Sequence, residues 1–170
     1  MILLSARDGG RGRKGTSGPS RIPTLCGYTL TRLKRNITFT GSTTRTAGTV
    51  IISVYGWTKN PLVEYYVQEY TSDGKGSAQG QKLGSVESDG GTYEIWKHQQ
   101  VNQPSITGTA TFWQYISNRV DKRPSGGTVT VANHFAAWKK VGLNLGAHDY
   151  QCLVTEAWGN AAGNSKYTIT

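Results

Sequence analysis

Hydrophobic and polar positions along this chain alternate more often than they recur at helical spacing, so strands dominate the reading. Ile37-Thr38-Phe39-Thr40-Gly41 alternates first, and residues 41–48 read as a turn. Two runs rich in β-branched and aromatic residues follow, 50–57 and 62–70, meeting at the turn-forming cluster Thr58-Lys59-Asn60-Pro61. A polar loop is predicted over 71–80, a short strand over 82–87, a hairpin turn at Asp89-Gly90-Gly91 and a long strand over 92–101. A Pro-started, Gly-ended loop at 102–108 leads into a strand at 109–120, and Pro124-Ser125-Gly126-Gly127 makes a further turn. One helix is predicted, with Asn133 as N-cap, residues 134–141 as its body and Gly142 just past its end. Strands at 150–158 and 166–170, separated by a loop at 159–164, complete an all-β domain with one short helix.

Composition agrees: the chain has 170 residues, 17% of them charged, and 22 are glycine. That length suits one domain large enough to bury a core. Charge then divides the chain. Residues 1–36 hold eight Lys or Arg and one Asp, and the remaining 134 residues hold eleven and nine, so most of the net +9 lies at the start. This Gly/Arg-rich segment is expected to be poorly ordered, either a tail or an electrostatic arm for polyanions. The body, residues 37–170, is nearly balanced, so no nucleic-acid partner is expected of it. No apolar run is long enough to span a membrane, and no signal peptide is visible. Cys26 and Cys152 make no disulfide framework, and Cys152 reads as a small buried hydrophobe. His98, His134 and His148 lack metal-ligand spacing, and neither metal nor cofactor is expected.

Candidate chemistry lies with two strand-borne glutamates. Alternation puts Glu64 on a face with Leu62, Tyr66, Gln68 and Tyr70, while Val63, Tyr65, Val67 and Glu69 share the other. Glu156 sits between Val154 and Trp158 on its own strand. Paired carboxylates among tyrosines suit glycosidic chemistry, one as nucleophile and the other, its pKa raised by burial and by its partner's charge, as proton donor. On pattern alone, two solvated strand glutamates are the commoner case.

The residues themselves narrow the choice. Ser53-Val54-Tyr55-Gly56-Trp57-Thr58-Lys59-Asn60-Pro61-Leu62-Val63-Glu64-Tyr65-Tyr66 closely resembles the nucleophile motif of glycoside hydrolase family 11, the endo-β-1,4-xylanases. Ser88-Asp89-Gly90-Gly91-Thr92-Tyr93 is similar to the family's hairpin, and Val101-Asn102-Gln103-Pro104-Ser105-Ile106-Thr107-Gly108 to its "thumb". Further matches follow in order, ending with Tyr150-Gln151-Cys152-Leu153-Val154-Thr155-Glu156-Ala157-Trp158, similar to the acid/base segment. The resemblance covers about residues 37–170.

It implies a β-jelly roll of two sheets bent into a cleft that holds xylan or xylo-oligosaccharides. Carried over by position, Glu64 would be the nucleophile and Glu156 the acid/base of a retaining double displacement, with carboxyls about 5–5.5 Å apart. Tyr55 and Tyr66 would contact the nucleophile and the sugar. Gln114, Tyr150 and the thumb residues Pro104, Ser105 and Ile106 would line the cleft. Trp57 would lie near the same surface, although a buried indole fits equally well. The resemblance also implies an extracellular monomer.

Some positions depart from the family pattern. Gln100 stands where the family usually has Arg, Ile116 where it commonly has Trp, and Ala157-Trp158 where it has Gly-Tyr. Residues 1–36 show none of the strands that precede this point in the family, nor its cleft-lining Trp or the Asn or Asp beside the acid/base. The alternative expectation is therefore a catalytically impaired β-sandwich fragment that binds xylan, lacking N-terminal strands.

Overall fold

The structure, a computed structural model, describes residues 36–170 and the backbone of one strand near the start. The order is β1 (Ile2–Ser5), β2 (Ile37–Lys59), β3 (Val63–Thr71), β4 (Gln81–Ser88), β5 (Gly91–Ser105), β6 (Gly108–Arg119), β7 (Gly126–Val129), α1 (Val131–Lys140) and β8 (Ala147–Ile169). Among the described residues the strands form one eight-stranded sheet, β1-β8-β2-β3-β6-β5-β4, with β7 also on β2. The predicted disorder of residues 1–36 and the reading of Cys26 lie, apart from the β1 backbone and Asn36, outside the described residues.

The two layers of the expected jelly roll are joined through β2. Its first part pairs with β7, its later part with β3, and β8 follows it along nearly its whole length. The turn expected at residues 41–48 and the loop expected at 159–164 are not separate connections. Both lie within 23-residue strands that stay paired, with register shifts at Arg45/Ala47 and Ala47/Thr49 absorbing the irregularity. Glycines there read as breakers in sequence but serve as bulges. Gly48 has φ +66°, and a side chain on it would strike the Trp158 carbonyl oxygen.

Alternation sorts side chains onto two faces. Ile52, Val54, Tyr65, Val67 and Leu153 join a core into which α1 inserts Trp138. The Trp138 indole N–H donates to Ser117 Oγ at 3.0 Å. Ile51, Tyr55, Tyr66, Ile116 and Val154 form a second cluster on the opposite face. Cys152 is buried in that second cluster.

Strand β3 departs from strict alternation at one place. Ile52 pairs with Tyr70 and Ser53 with Gln68, which leaves Glu69 as the extra residue of a bulge and turns Tyr70 toward the core containing Val67. Glu69 is fully buried, accepting from Tyr93 Oη at 2.7 Å and from Arg123 Nε at 2.7 Å. Arg119 Nη1 donates in turn to Tyr93 Oη at 2.7 Å. The carboxylate on the apolar face is thus matched by a guanidinium and a phenol.

The helix begins earlier than predicted, at Val131 rather than after Asn133. Asp89 explains the difference, taking the Thr130 backbone N–H at 2.8 Å and its hydroxyl at 2.6 Å. It thereby serves a donor that a local cap would otherwise satisfy. Asn133 instead donates to Ser88 Oγ at 3.0 Å. Gly142 ends the helix with φ +80°, as its position predicts. No described helix is long and apolar enough to cross a membrane.

Candidate active site

The turn at residues 58–61 folds β3 back on β2 and sets Glu64 opposite Trp57, with Tyr66 opposite Tyr55. Glu64 has no exposed surface. Among its partners, Tyr55 Oη donates to Oε1 at 2.8 Å and Tyr66 Oη to the same oxygen at 3.1 Å. Gln114 Nε2 donates to Oε2. That contact depends on β3 and β6 running parallel, with Glu64 and Gln114 in register. Two phenols and an amide thus supply both oxygens of this buried carboxyl with hydrogen bonds.

Two of these donors are held from behind. Trp57 Nε1 donates to the Tyr55 phenol oxygen at 2.5 Å, leaving the Tyr55 hydroxyl proton directed at Glu64. Burial, and next the adjacent Glu64 charge, push the Tyr55 phenol far above its ordinary range, so it remains a donor. Gln100 Nε2 donates to Gln114 Oε1 at 3.2 Å. Tyr55 packs against Tyr66 and Tyr150 with ring centroids 4.9 and 6.0 Å apart.

Residues 102–108 are less of a loop than predicted. Strands β5 and β6 continue as a two-stranded arm, pairing Pro104 with Thr109 and Ser105 with Gly108 beyond a bulge at residues 100–103. Gly108, at φ +91°, helps close the tip, where Ser105 Oγ donates to the Gly108 carbonyl at 2.6 Å. The arm hangs over a cavity of about 260 Å³ lined by Tyr55, Trp57, Tyr150, Gln103, Pro104, Ser105 and Ile106. Tyr66 and Gln114 are buried and reach Glu64. Trp57 is 2% exposed, so it forms the cavity wall while spending its N–H on Tyr55.

Glu156 is 8% exposed, on β8 opposite Ile51 of β2. Cross-strand partners share a face, so Glu156 lies on the face that carries Ile51, Tyr55, Tyr66 and Glu64. Strand β2 runs between the two acids, with Glu64 in the Trp57 row and Glu156 in the Ile51 row. Ala157, in place of the family's Gly, is a paired strand residue opposite Val50.

The sequence did not single out Gln103, which joins the cavity wall, nor a role for Gln100 beyond its departure from Arg. The adjacency of Gln103 to Pro104 was the available signal for the first. A larger hollow of about 370 Å³ lies between α1 and residues 143–148, but no acidic residue lines it.

Comparison with known proteins identifies the family and the fold. The family described as Glycosyl hydrolases family 11 matches residues 25–168, so the match begins ahead of Ile37. The chain is 57% identical to endo-1,4-beta-xylanase B of Talaromyces funiculosus over 122 residues, 72% of this chain and 42% of that protein. It is 52% identical to endo-1,4-beta-xylanase 2 of Rhizopus oryzae, across 80% of this chain and 62% of that one. It therefore spans about two fifths to three fifths of these relatives' length. A solved structure from a structural comparison of two major endo-1,4-beta-xylanases from Trichoderma reesei superposes with TM-score 0.78 at 42% identity. That superposition covers 92% of this chain and 94% of the other, and it carries the β-jelly roll with it. Agreement of sequence over most of the chain and of fold over nearly all of it makes this chain a member of glycosyl hydrolase family 11.

Proposed function

We propose that the chain hydrolyses internal β-1,4-xylosidic bonds of xylan with retention of anomeric configuration, Glu64 acting as nucleophile and Glu156 as acid/base. The observation that carries this reading is the Glu64 carboxylate, buried yet supplied with hydrogen bonds by Tyr55, Tyr66 and Gln114 beside a tyrosine-lined cavity under the arm. Such an environment aims the carboxyl group while excluding the water that would blunt it.

In the first step a Glu64 oxygen attacks the anomeric carbon as Glu156 protonates the departing glycosidic oxygen. In the second, water attacks the same carbon, gives its proton to Glu156, and the electron pair of the broken bond returns to Glu64. Tyr55 and Tyr150 offer flat surfaces to the sugar, and residues 104–106 confine the chain from above. The common face of the two carboxylates and the curl of the sheet support their pairing across the cleft. An enzyme of this kind meets its polymer outside the cell, in keeping with the family resemblance.

The test is reducing-sugar release from xylan by the chain, by Glu64→Gln and by Glu156→Gln, with circular dichroism checking that the folds match. Hydrolysis by the parent and its loss in both variants is the expected outcome. Unchanged release in either folded variant removes that residue from the chemistry. A parent that is retained on a xylan affinity gel but releases no sugar is instead the binding fragment considered above.

A further inference from the structure

We infer that Gln100 is a positioning residue for the second chemical step, locking the Gln114 amide so that its N–H, not its carbonyl, meets Glu64 while that residue is esterified. The inference rests on the reading of Glu64 as nucleophile and extends it. A glutamine amide fills nearly the same space either way up, so hydrogen bonds alone decide its orientation. Two contacts decide it here. Gln114 Nε2 donates to Glu64 Oε2, and Gln100 Nε2 donates to Gln114 Oε1 at 3.2 Å. Gln114 is 2% exposed, so little water can compete for either end.

These two contacts do not matter equally throughout the cycle. While Glu64 is an anion, its charge selects the amide N–H without help. Once Glu64 carries the sugar as a neutral ester, that selection weakens, and Gln100 remains the group that holds the amide. Orientation matters again as the C1–O bond to Glu64 breaks. Water then supplies the new oxygen, its proton passes to Glu156, and negative charge regrows on the Glu64 oxygens. An N–H already in place stabilises that charge, whereas a carbonyl there would oppose it. Gln100 therefore acts on breakdown of the glycosyl-enzyme more than on its formation. A donor suffices for this role, which is how a neutral Gln serves where the family usually has Arg.

The experiment uses an aryl β-xylobioside with a dinitrophenolate leaving group, which makes breakdown rate-limiting, so kcat reports the second step and kcat/KM the first. In Gln100→Met, of similar length but without a donor, kcat should fall about three- to tenfold with kcat/KM within about twofold, the loss of one modest hydrogen bond. The pre-steady-state burst should become more pronounced. Gln100→Arg, which restores a donor, should recover most of kcat. Equal losses in kcat and kcat/KM, no loss in either, or an Arg variant as slow as the Met variant overturns the inference. The same substrate applied to Glu64→Gln separates the two ideas, since full turnover there defeats the nucleophile assignment itself.

Discussion

His134 lies fully buried on α1, its ring edge-on to Tyr93 with centroids 4.6 Å apart. Neither ring nitrogen has a hydrogen-bond partner among the described residues. Burial, the largest cause, lowers its pKa against the opposing Asp89 carboxylate, and with a smaller push from the Arg119 guanidinium the net is a fall from 6.5 to about 4. The folded protein therefore keeps this imidazole neutral where the unfolded chain protonates it. The stability at stake is fully present above pH 6.5 and is lost as pH falls toward 4. From those two pKa values the loss reaches about 3 kcal/mol at pH 4, because a tenfold change in a protonation equilibrium corresponds to about 1.4 kcal/mol. The informative perturbation is His134→Phe, which keeps a ring against Tyr93 and removes the proton site. Calorimetric scans from pH 7 to pH 4 should show the parent losing roughly 6–12 °C more in Tm than the variant. Other groups titrate in the same range. Asp73, Asp89 and Glu94 have lowered pKa values and weaken the fold at lower pH, while burial raises the carboxyl of Glu69 against the pull of Arg123. Apart from the contact between Asp89 and His134, these contributions are common to both proteins and cancel in the difference. Parallel Tm curves for parent and variant would mean that His134 does not couple folding to pH.

Removal of the Tyr55 hydroxyl by Tyr55→Phe takes a charge-assisted hydrogen bond from Glu64 and orphans the Trp57 N–H. We expect kcat/KM on xylo-oligosaccharides to drop roughly 10- to 150-fold and urea unfolding to report a loss of about 1–3 kcal/mol; wild-type values in both assays contradict the relay. Arg123→Met strands the buried Glu69 carboxylate and should cost about 3–5 kcal/mol at neutral pH. The deficit should shrink in acid as Glu69 takes up a proton, and a deficit independent of pH would mean that Arg123 contributes packing alone.

Part of this molecule was legible in the chain itself. Glu64 stood out because a carboxylate interrupted an aromatic face, and the turn at residues 58–61 returned β3 along β2 as predicted. Glu69 was visible too, on the face with Val63, Tyr65 and Val67, but its partners come from 24 and 54 residues away. Strand pattern carries no information about such distant neighbours. The parallel register between β3 and β6 was hidden for the same reason, and with it the Glu64–Gln114 contact. Strands β2 and β8 were broken in the reading because Gly, Ser and Thr signal turns locally, whereas a long antiparallel partner can hold the same residues as bulges. The helix start was misplaced because the backbone N–H of Thr130, just ahead of it, is served by Asp89, from the β4–β5 turn, and not by the nearest Asn.

The proposed mechanism requires Glu64 to form a covalent bond to the sugar. Incubating the chain with a 2-deoxy-2-fluoro-β-xylobiosyl fluoride and measuring intact mass, followed by peptide fragmentation, tests it directly. One fluoroxylobiosyl adduct is expected, carried on Glu64 and accompanied by loss of activity. An adduct on any other residue, or continued hydrolysis of xylan with no adduct, would contradict it.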